Sequence, residues 1–248
     1  MTSLLLHPET LPLRDAETVG DLGRTLVVAP HPDDESLGCG GLLALLAASE
    51  QGARVVFVTD GTRSHPNSPS YPPEWLRALR EAEAEAALAA LGLAPEAALF
   101  LRYPDCGLPQ RGTGSFETAL DRVTEIVRDW APETVLLPWR RDPHCDHVDA
   151  WALFRAALHR FDTPLRVLEY PVWAWPHADG PEAPRADEAN AWRVDIRSVL
   201  DRKRAAIAAH RSQTTWLIAD DPDAFILRPH MLRHFERPWE LFLEVHDA

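Results

Sequence analysis

Two short segments combine residue types and spacings suited to metal and acid–base chemistry. His31-Pro32-Asp33-Asp34-Glu35 puts four ionisable side chains in five positions, and His144-Cys145-Asp146-His147 brings imidazole and carboxylate together again far downstream. His31 and Asp34 stand three apart, as do His144 and His147, so each pair can face one point. Borderline cations such as Zn²⁺ take imidazole nitrogen and carboxylate oxygen, and a catalytic site uses three protein ligands with one position open. The two segments offer more candidates than that, which leaves a carboxylate and an imidazole for proton transfer. Taken singly, a His or Asp after a strand is ordinarily a cap or a solvated loop residue, and Asp33 or Asp34 could N-cap a following helix. Together at one sheet edge they favour a metal site, because crowded carboxylates at the end of a buried strand are costly unless a cation offsets them.

The elements that must position these segments follow from the apolar pattern. Thr25–Pro30 reads as a continuous apolar strand, the form expected of a parallel strand covered on both faces. The pattern continues with a helix over Gly38–Ser49, a strand over Arg54–Thr59 and a helix over Glu74–Leu91 closed by Gly92. Further along come a strand at Ala97–Leu101, a helix at Phe116–Trp130, a strand at Thr134–Leu137, a helix at Val148–Phe161 and a strand at Arg166–Tyr170. Arg197–Ser212 reads as another helix and Trp239–Val245 as a closing strand. This alternation predicts an α/β, Rossmann-like, doubly wound and mostly parallel sheet with helices on both faces. Ligands bind at the carboxyl ends of the strands in such sheets, and both motifs follow strands there. Ser64–Pro73 and Pro176–Asn190 are long polar connections, read either as solvated insertions or as lids over a site.

Composition narrows the function classes. The chain has 248 residues, 25 Lys+Arg against 38 Asp+Glu and a formal charge of −13, which argues against nucleic acid or an anionic membrane as partner. Its 46% apolar and 25% charged residues are those of a globular protein, read here as one domain over 1–248 with its core at about 24–245. No apolar run approaches the ~20 residues of a membrane span, and Met1–Glu9 lacks the basic region of a signal peptide. Cys39, Cys106 and Cys145 are too few for a disulfide framework and point to a reducing, cytoplasmic setting. Leu37-Gly38-Cys39-Gly40-Gly41 is a weak nucleotide-loop signal, since His31–Leu37 separate it from the strand; the glycines fit close helix–strand packing better. His144-Cys145-Asp146-His147 also matches part of a metallo-β-lactamase-type motif, although Asp142 stands where that motif has a further His.

The same residues resemble the LmbE-like family, which includes N-acetylglucosaminylphosphatidylinositol de-N-acetylases and the deacetylases of mycothiol and bacillithiol synthesis. The resemblance rests on Ala29-x-His31-Pro32-Asp33-Asp34-Glu35 with Leu37–Gly41, and on His144-x-Asp146-His147. Thr59-Asp60-Gly61, Arg80-x-x-Glu83, Tyr103-Pro104-Asp105, Lys203 and His210-x-Ser212-Gln213 support it over roughly residues 24 to 245. It implies His31, Asp34 and His147 as metal ligands and Asp33 as the general base. It also implies His144 as the group that steadies the oxyanion and protonates the departing amine, with Asp146 tuning it. Arg80 and Asp105 match sugar-contacting positions; from the residues alone Arg80 could instead pair with Glu83 and Asp105 serve a turn. Cys145 receives no role. The activity implied is metal-dependent removal of the N-acetyl group from a small N-acetylglucosamine-type conjugate, giving acetate and a free amine. The cation would be Zn²⁺, with Fe²⁺, Co²⁺ or Mn²⁺ also suited to such ligands. A metallohydrolase for another acyl or phosphoryl bond and a metal-binding sensor are the rival readings.

Overall fold

The structure, a computed structural model, describes residues 2–49, 51–163 and 165–245. Among the described residues eight strands form one sheet: β1 (Leu13–Arg14), β2 (Thr25–Ala29), β3 (Ala53–Thr59), β4 (Ala98–Tyr103), β5 (Thr134–Pro138), β6 (Arg166–Tyr170), β7 (Ala189–Asp195) and β8 (Trp239–Val245). Their order is β1-β7-β8-β6-β5-β2-β3-β4. Strands β4-β3-β2-β5-β6 run parallel, and β8 lies antiparallel between β6 and β7. β2 pairs with the later β3 on one side and the much later β5 on the other. The chain therefore reverses its direction of growth between β2 and β5, and a crevice opens at their carboxyl ends.

Alternate residues of the buried strands feed two cores. Val27, Ala29, Val55 and Phe57 pack beneath α1 (Asp34–Ala47), α2 (Pro73–Leu91) and α5 (Leu200–Ala209). Leu26, Val28, Val56 and Val58 pack on the other face beneath α3 (Gly114–Trp130) and α4 (Cys145–Leu158). Helices thus cover both faces, as the strand patterning predicts. The glycines of α1 allow that helix to press on the sheet layer. A Cβ at Gly38 would lie 2.3 Å from the Tyr170 ring, and one at Gly41 would lie 2.5 Å from Ile196.

Three expectations are corrected. α1 begins at Asp34 instead of Gly38 and α4 at Cys145 instead of Val148, because the polar motif residues themselves form the first helical turns. The helix expected over Arg197–Ser212 is broken at His210 (ψ 62°), with α5 before it and the short α6 (Arg211–Thr214) after it. Pro176–Asn190 is a mostly exposed connection, anchored where Trp139 donates its indole N–H to the Glu182 carbonyl (2.6 Å), and it runs into β7. No helix among the described residues is long and apolar enough to cross a membrane.

A buried ion pair is built into α1. Lys203, 2% exposed, donates to the Leu37 carbonyl (2.8 Å) and to Glu240 (2.6 Å), while Glu240 accepts from the Gly41 and Leu42 amides. Removing one member leaves an uncompensated buried charge, at a cost of about 3–5 kcal/mol. Lys203→Met is expected to lower the unfolding free energy by about that amount in urea titration. Lys203→Met with Glu240→Leu should recover most of the loss, since no uncompensated charge then remains buried.

Candidate active site

Both motifs converge in the crevice. The His31 backbone N–H donates to Asp34 Oδ2 (2.9 Å), which fixes that carboxylate at the start of α1. The same oxygen lies 3.3 Å from His31 Nδ1 and 3.1 Å from His147 Nε2. A tetrahedral ion with bonds of 2.0–2.1 Å has ligand-to-ligand edges of about 3.3 Å, so Asp34 Oδ2 already stands at ligand spacing from each imidazole, and a ring nitrogen of His144 also lies within 4.8 Å of His31 and His147. His147 Nε2 and Asp34 Oδ1 are buried without a hydrogen-bond partner, the condition a cation would relieve. His147 Nδ1 faces Asp142 Oδ1 at 3.4 Å, and the other oxygen of Asp142 accepts from the Val172 and Trp173 amides. A carboxylate behind an imidazole is the usual way to orient a metal-binding histidine. The donor set fits a borderline divalent cation.

The electrostatics of the metal-free chain reflect this crowding. Burial alone would strip the proton from His31, but Asp105, Asp146 and Asp34 outweigh it and hold its pKa well above the usual value. His147 is likewise raised, its burial outweighed by Asp34 and Asp142. Burial would raise Asp34, but His147 and His31 hold it well below the carboxylate range. Asp146 turns its carboxylate to His31 Nε2 (3.0 Å) and the Cys106 amide (2.8 Å), and reaches His144 only through its own backbone N–H. Asp105 sits 3.5 Å from His31 Nε2 and accepts from the Arg63 amide (2.9 Å).

Asp33 and His144 lie beside this set. Asp33 takes φ 144°, ψ −28°, a conformation rare outside glycine that costs about 1–3 kcal/mol and must be held by its surroundings. Its N–H donates to Glu35 Oε2 (3.0 Å), and Arg80 Nη2 donates to its carboxylate (3.2 Å). Glu35 is in turn bonded by Ser36 and His210 (2.9 Å), which is why the break after α5 matters. Arg80 also donates to the Pro32 carbonyl (2.6 Å) and the Gly61 carbonyl (2.8 Å). Gly61 is at φ 62°, and a Cβ there would strike the guanidinium at 2.3 Å. Arg80 therefore does not pair with Glu83, which accepts from Ser212 instead. Burial pushes the Asp33 carboxyl up to about 6 against the pull of Arg80. Burial and the neighbouring His31 and His147 push His144 down to about 4. His144 Nδ1 accepts the Asp146 N–H (3.2 Å), so the neutral ring carries its proton on Nε2.

A cavity of about 270 Å³ opens over the site, bounded by His31, Asp33, Arg80, Asp105, His144, Gln213 and Arg63, with Trp173 and Phe225 among its walls. Asp34 and His147 lie behind its floor, 1% and 0% exposed. Of the Ser64–Pro73 loop only Ser64 borders the cavity; Asn67, Ser68 and Ser70 donate to Asp220 and Asp221, which pins the loop down. Sequence reasoning gave no site role to Asp142, Glu35, Arg63, Trp173 or Phe225. For Asp142 the available signal was a carboxylate in the same loop as two histidines. The aromatic pair, with ring centroids 5.5 Å apart, comes from separate loops and carries no local signal.

Comparison with known proteins agrees with this geometry. The family profile described as GlcNAc-PI de-N-acetylase (PIG-L) matches residues 26–158. A 1D-myo-inositol 2-acetamido-2-deoxy-alpha-D-glucopyranoside deacetylase of Acidothermus cellulolyticus is 30% identical over 235 residues, covering 76% of this chain and 78% of that protein. The 2'-N-acetylparomamine deacetylase of Streptomyces fradiae is 30% identical over 217 residues, covering 77% and 74%. Among solved structures, a conserved protein from Thermus thermophilus superposes with a TM-score of 0.57 at 30% identity, covering 76% and 79%.

Metal uptake should be linked to protons. His31 and His147 are raised in the metal-free chain, so their charged forms persist to higher pH, whereas a cation needs neutral imidazole. Affinity should therefore climb as pH rises through those values, and binding near neutrality should release protons. Calorimetry in buffers of different ionisation enthalpy measures the release; a heat independent of buffer would contradict it. Asp142→Asn should weaken metal binding by about 10–100-fold.

Proposed function

The chain belongs to the PIG-L (GlcNAc-PI de-N-acetylase) family, and from that premise we propose that it is a metal-dependent hydrolase cleaving the N-acetyl amide of a small N-acetylglucosamine-type conjugate to acetate and a free amine. The observation that carries this reading is the position of Asp33 and His144. Both border the cavity over His31, Asp34 and His147. Asp33 is bonded to Arg80, and His144, although a ring nitrogen of it lies within 4.8 Å of His31 and His147, accepts the Asp146 N–H on Nδ1 and faces the cavity. His31, Asp34 and His147 would hold the ion, with Zn²⁺ the first choice and Fe²⁺, Co²⁺ or Mn²⁺ compatible with the same donors. When bound, the ion supplies polarisation of the amide carbonyl and acidification of water.

Asp33 takes the proton of the attacking water. A carboxyl raised to about 6 both accepts and returns a proton near neutral pH, so Asp33 can also hand that proton to the departing nitrogen. His144, pushed down to about 4, is a poor carrier of a whole proton at neutral pH but a good hydrogen-bond donor from Nε2. We therefore assign it the developing oxyanion and move the amine-protonating role onto Asp33. Asp146 serves His144 through its N–H and His31 through its carboxylate. Arg80 is a positioning residue that holds Asp33 and the Pro32 carbonyl. Asp105 is the acceptor offered to a sugar hydroxyl. A cavity of about 270 Å³, at the small end for ligand sites, suits a single sugar ring, and Trp173 with Phe225 supplies an apolar wall for it.

Amine release should be measured on 1D-myo-inositol 2-acetamido-2-deoxy-alpha-D-glucopyranoside and 2'-N-acetylparomamine, the compounds for which the two relatives are named. Turnover by the metal-loaded chain on at least one N-acetyl amino sugar is expected, and none on any would sink the reading. Asp33→Asn should keep the metal and lose about 10²–10⁴ in kcat. Asp34→Ala should lose the metal, and His144→Ala should keep it and lose about 10²–10³ in kcat.

A further inference from the structure

Cys106 and Cys145 take no part in the chemistry above, yet they meet at the rim of the site. Cys106 lies in the loop after β4, Cys145 is the first residue of α4, and both thiols are free and exposed. The two sulfurs and a carboxylate oxygen of Asp146 all lie within 4.8 Å of one another. Two further features set this cluster apart from a chance meeting. Cys106 sits at φ 55°, in the left-handed region that favours glycine, so the side chain is carried against a conformational cost. Asp146 is 0% exposed, and while its Oδ2 is committed to His31 and the Cys106 amide, its Oδ1 has no hydrogen-bond partner. A disulfide between the thiols would leave that oxygen orphaned; a cation would satisfy it.

We propose that Cys106, Cys145 and Asp146 form a second cation site, distinct from the His31–Asp34–His147 cluster and selective for a soft or borderline divalent ion such as Zn²⁺ or Cd²⁺. Two S–H protons pass to solvent as two metal–sulfur bonds form, the carboxylate supplies the third ligand, and water completes the set. Asp146 is shared with His31, and Cys145 adjoins His144. An ion at the rim therefore draws on the carboxylate that orients His31, so excess metal should depress turnover.

The test is a Co²⁺ titration of the full chain, stripped of metal and kept reduced with a phosphine, followed by absorption. Cobalt among imidazoles and a carboxylate gives only weak visible bands, whereas thiolate ligation adds a strong near-ultraviolet charge-transfer band. Wild type should take up two equivalents and develop that band. Cys106→Ser with Cys145→Ser should take up one and lack it. Cys106→Gly suits φ 55° and should remain folded while losing the second equivalent. A wild type with no thiolate band, or a band surviving in the double variant, would overturn the assignment. The absorption readout is independent of turnover, so failure here and failure of the deacetylase reading are distinguishable.

Discussion

Burying ionised carboxylates beside one another is expensive unless positive charge lies among them, and Asp33, Asp34, Asp105, Asp142 and Asp146 are all buried at one end of one sheet. Each has a specific answer to that cost. Asp33 has Arg80, Asp34 has His31 and His147, Asp142 has His147 and two amides, and Asp105 and Asp146 share His31 with an amide each. In the metal-free chain the imidazoles carry the balancing charge, which is why their pKa values rise and that of Asp34 falls.

That arrangement depends on where the sheet reverses. β2 and β5 are neighbours in space but separated by two complete strand–helix units in sequence, so the loops leaving them meet only in the folded chain. α1 and α4 then leave on opposite faces of the sheet, and each brings its acidic first turn into the crevice. Carboxylates near a helix N-terminus are favoured by the exposed amides there, so placing Asp34 and Asp146 in first turns offsets part of the cost of burying them.

Much of this was legible in the residues and some was not. Thr25–Pro30 and Thr134–Leu137 read as strands from their apolar runs, and the motifs that follow them were therefore expected at one sheet edge. The starts of α1 and α4 were misplaced because Asp34, Glu35, Cys145 and Asp146 look like loop residues until tertiary contacts are counted. β7 was hidden because Ala189–Asp195 begins in a polar segment and alternates only weakly. β8 was readable as a strand, but its antiparallel placement between β6 and β7 is a matter of topology. Arg80 and Glu83 stand at ion-pair spacing, and only the fold reveals that they serve different partners, Asp33 and Ser212.

The ion pair spliced into α1 has a consequence for how the molecule is completed. The Gly41 and Leu42 amides receive their acceptor from Glu240, on the last strand, across nearly the whole length of the chain. Contacts of such long sequence separation form late, after the loops they close have been ordered. The helix that opens with Asp34 thus obtains its final bonds only when the C-terminal strand docks. A chain that stops short of Glu240 therefore lacks the carboxylate that receives the Gly41 and Leu42 amides in the helix beneath the site.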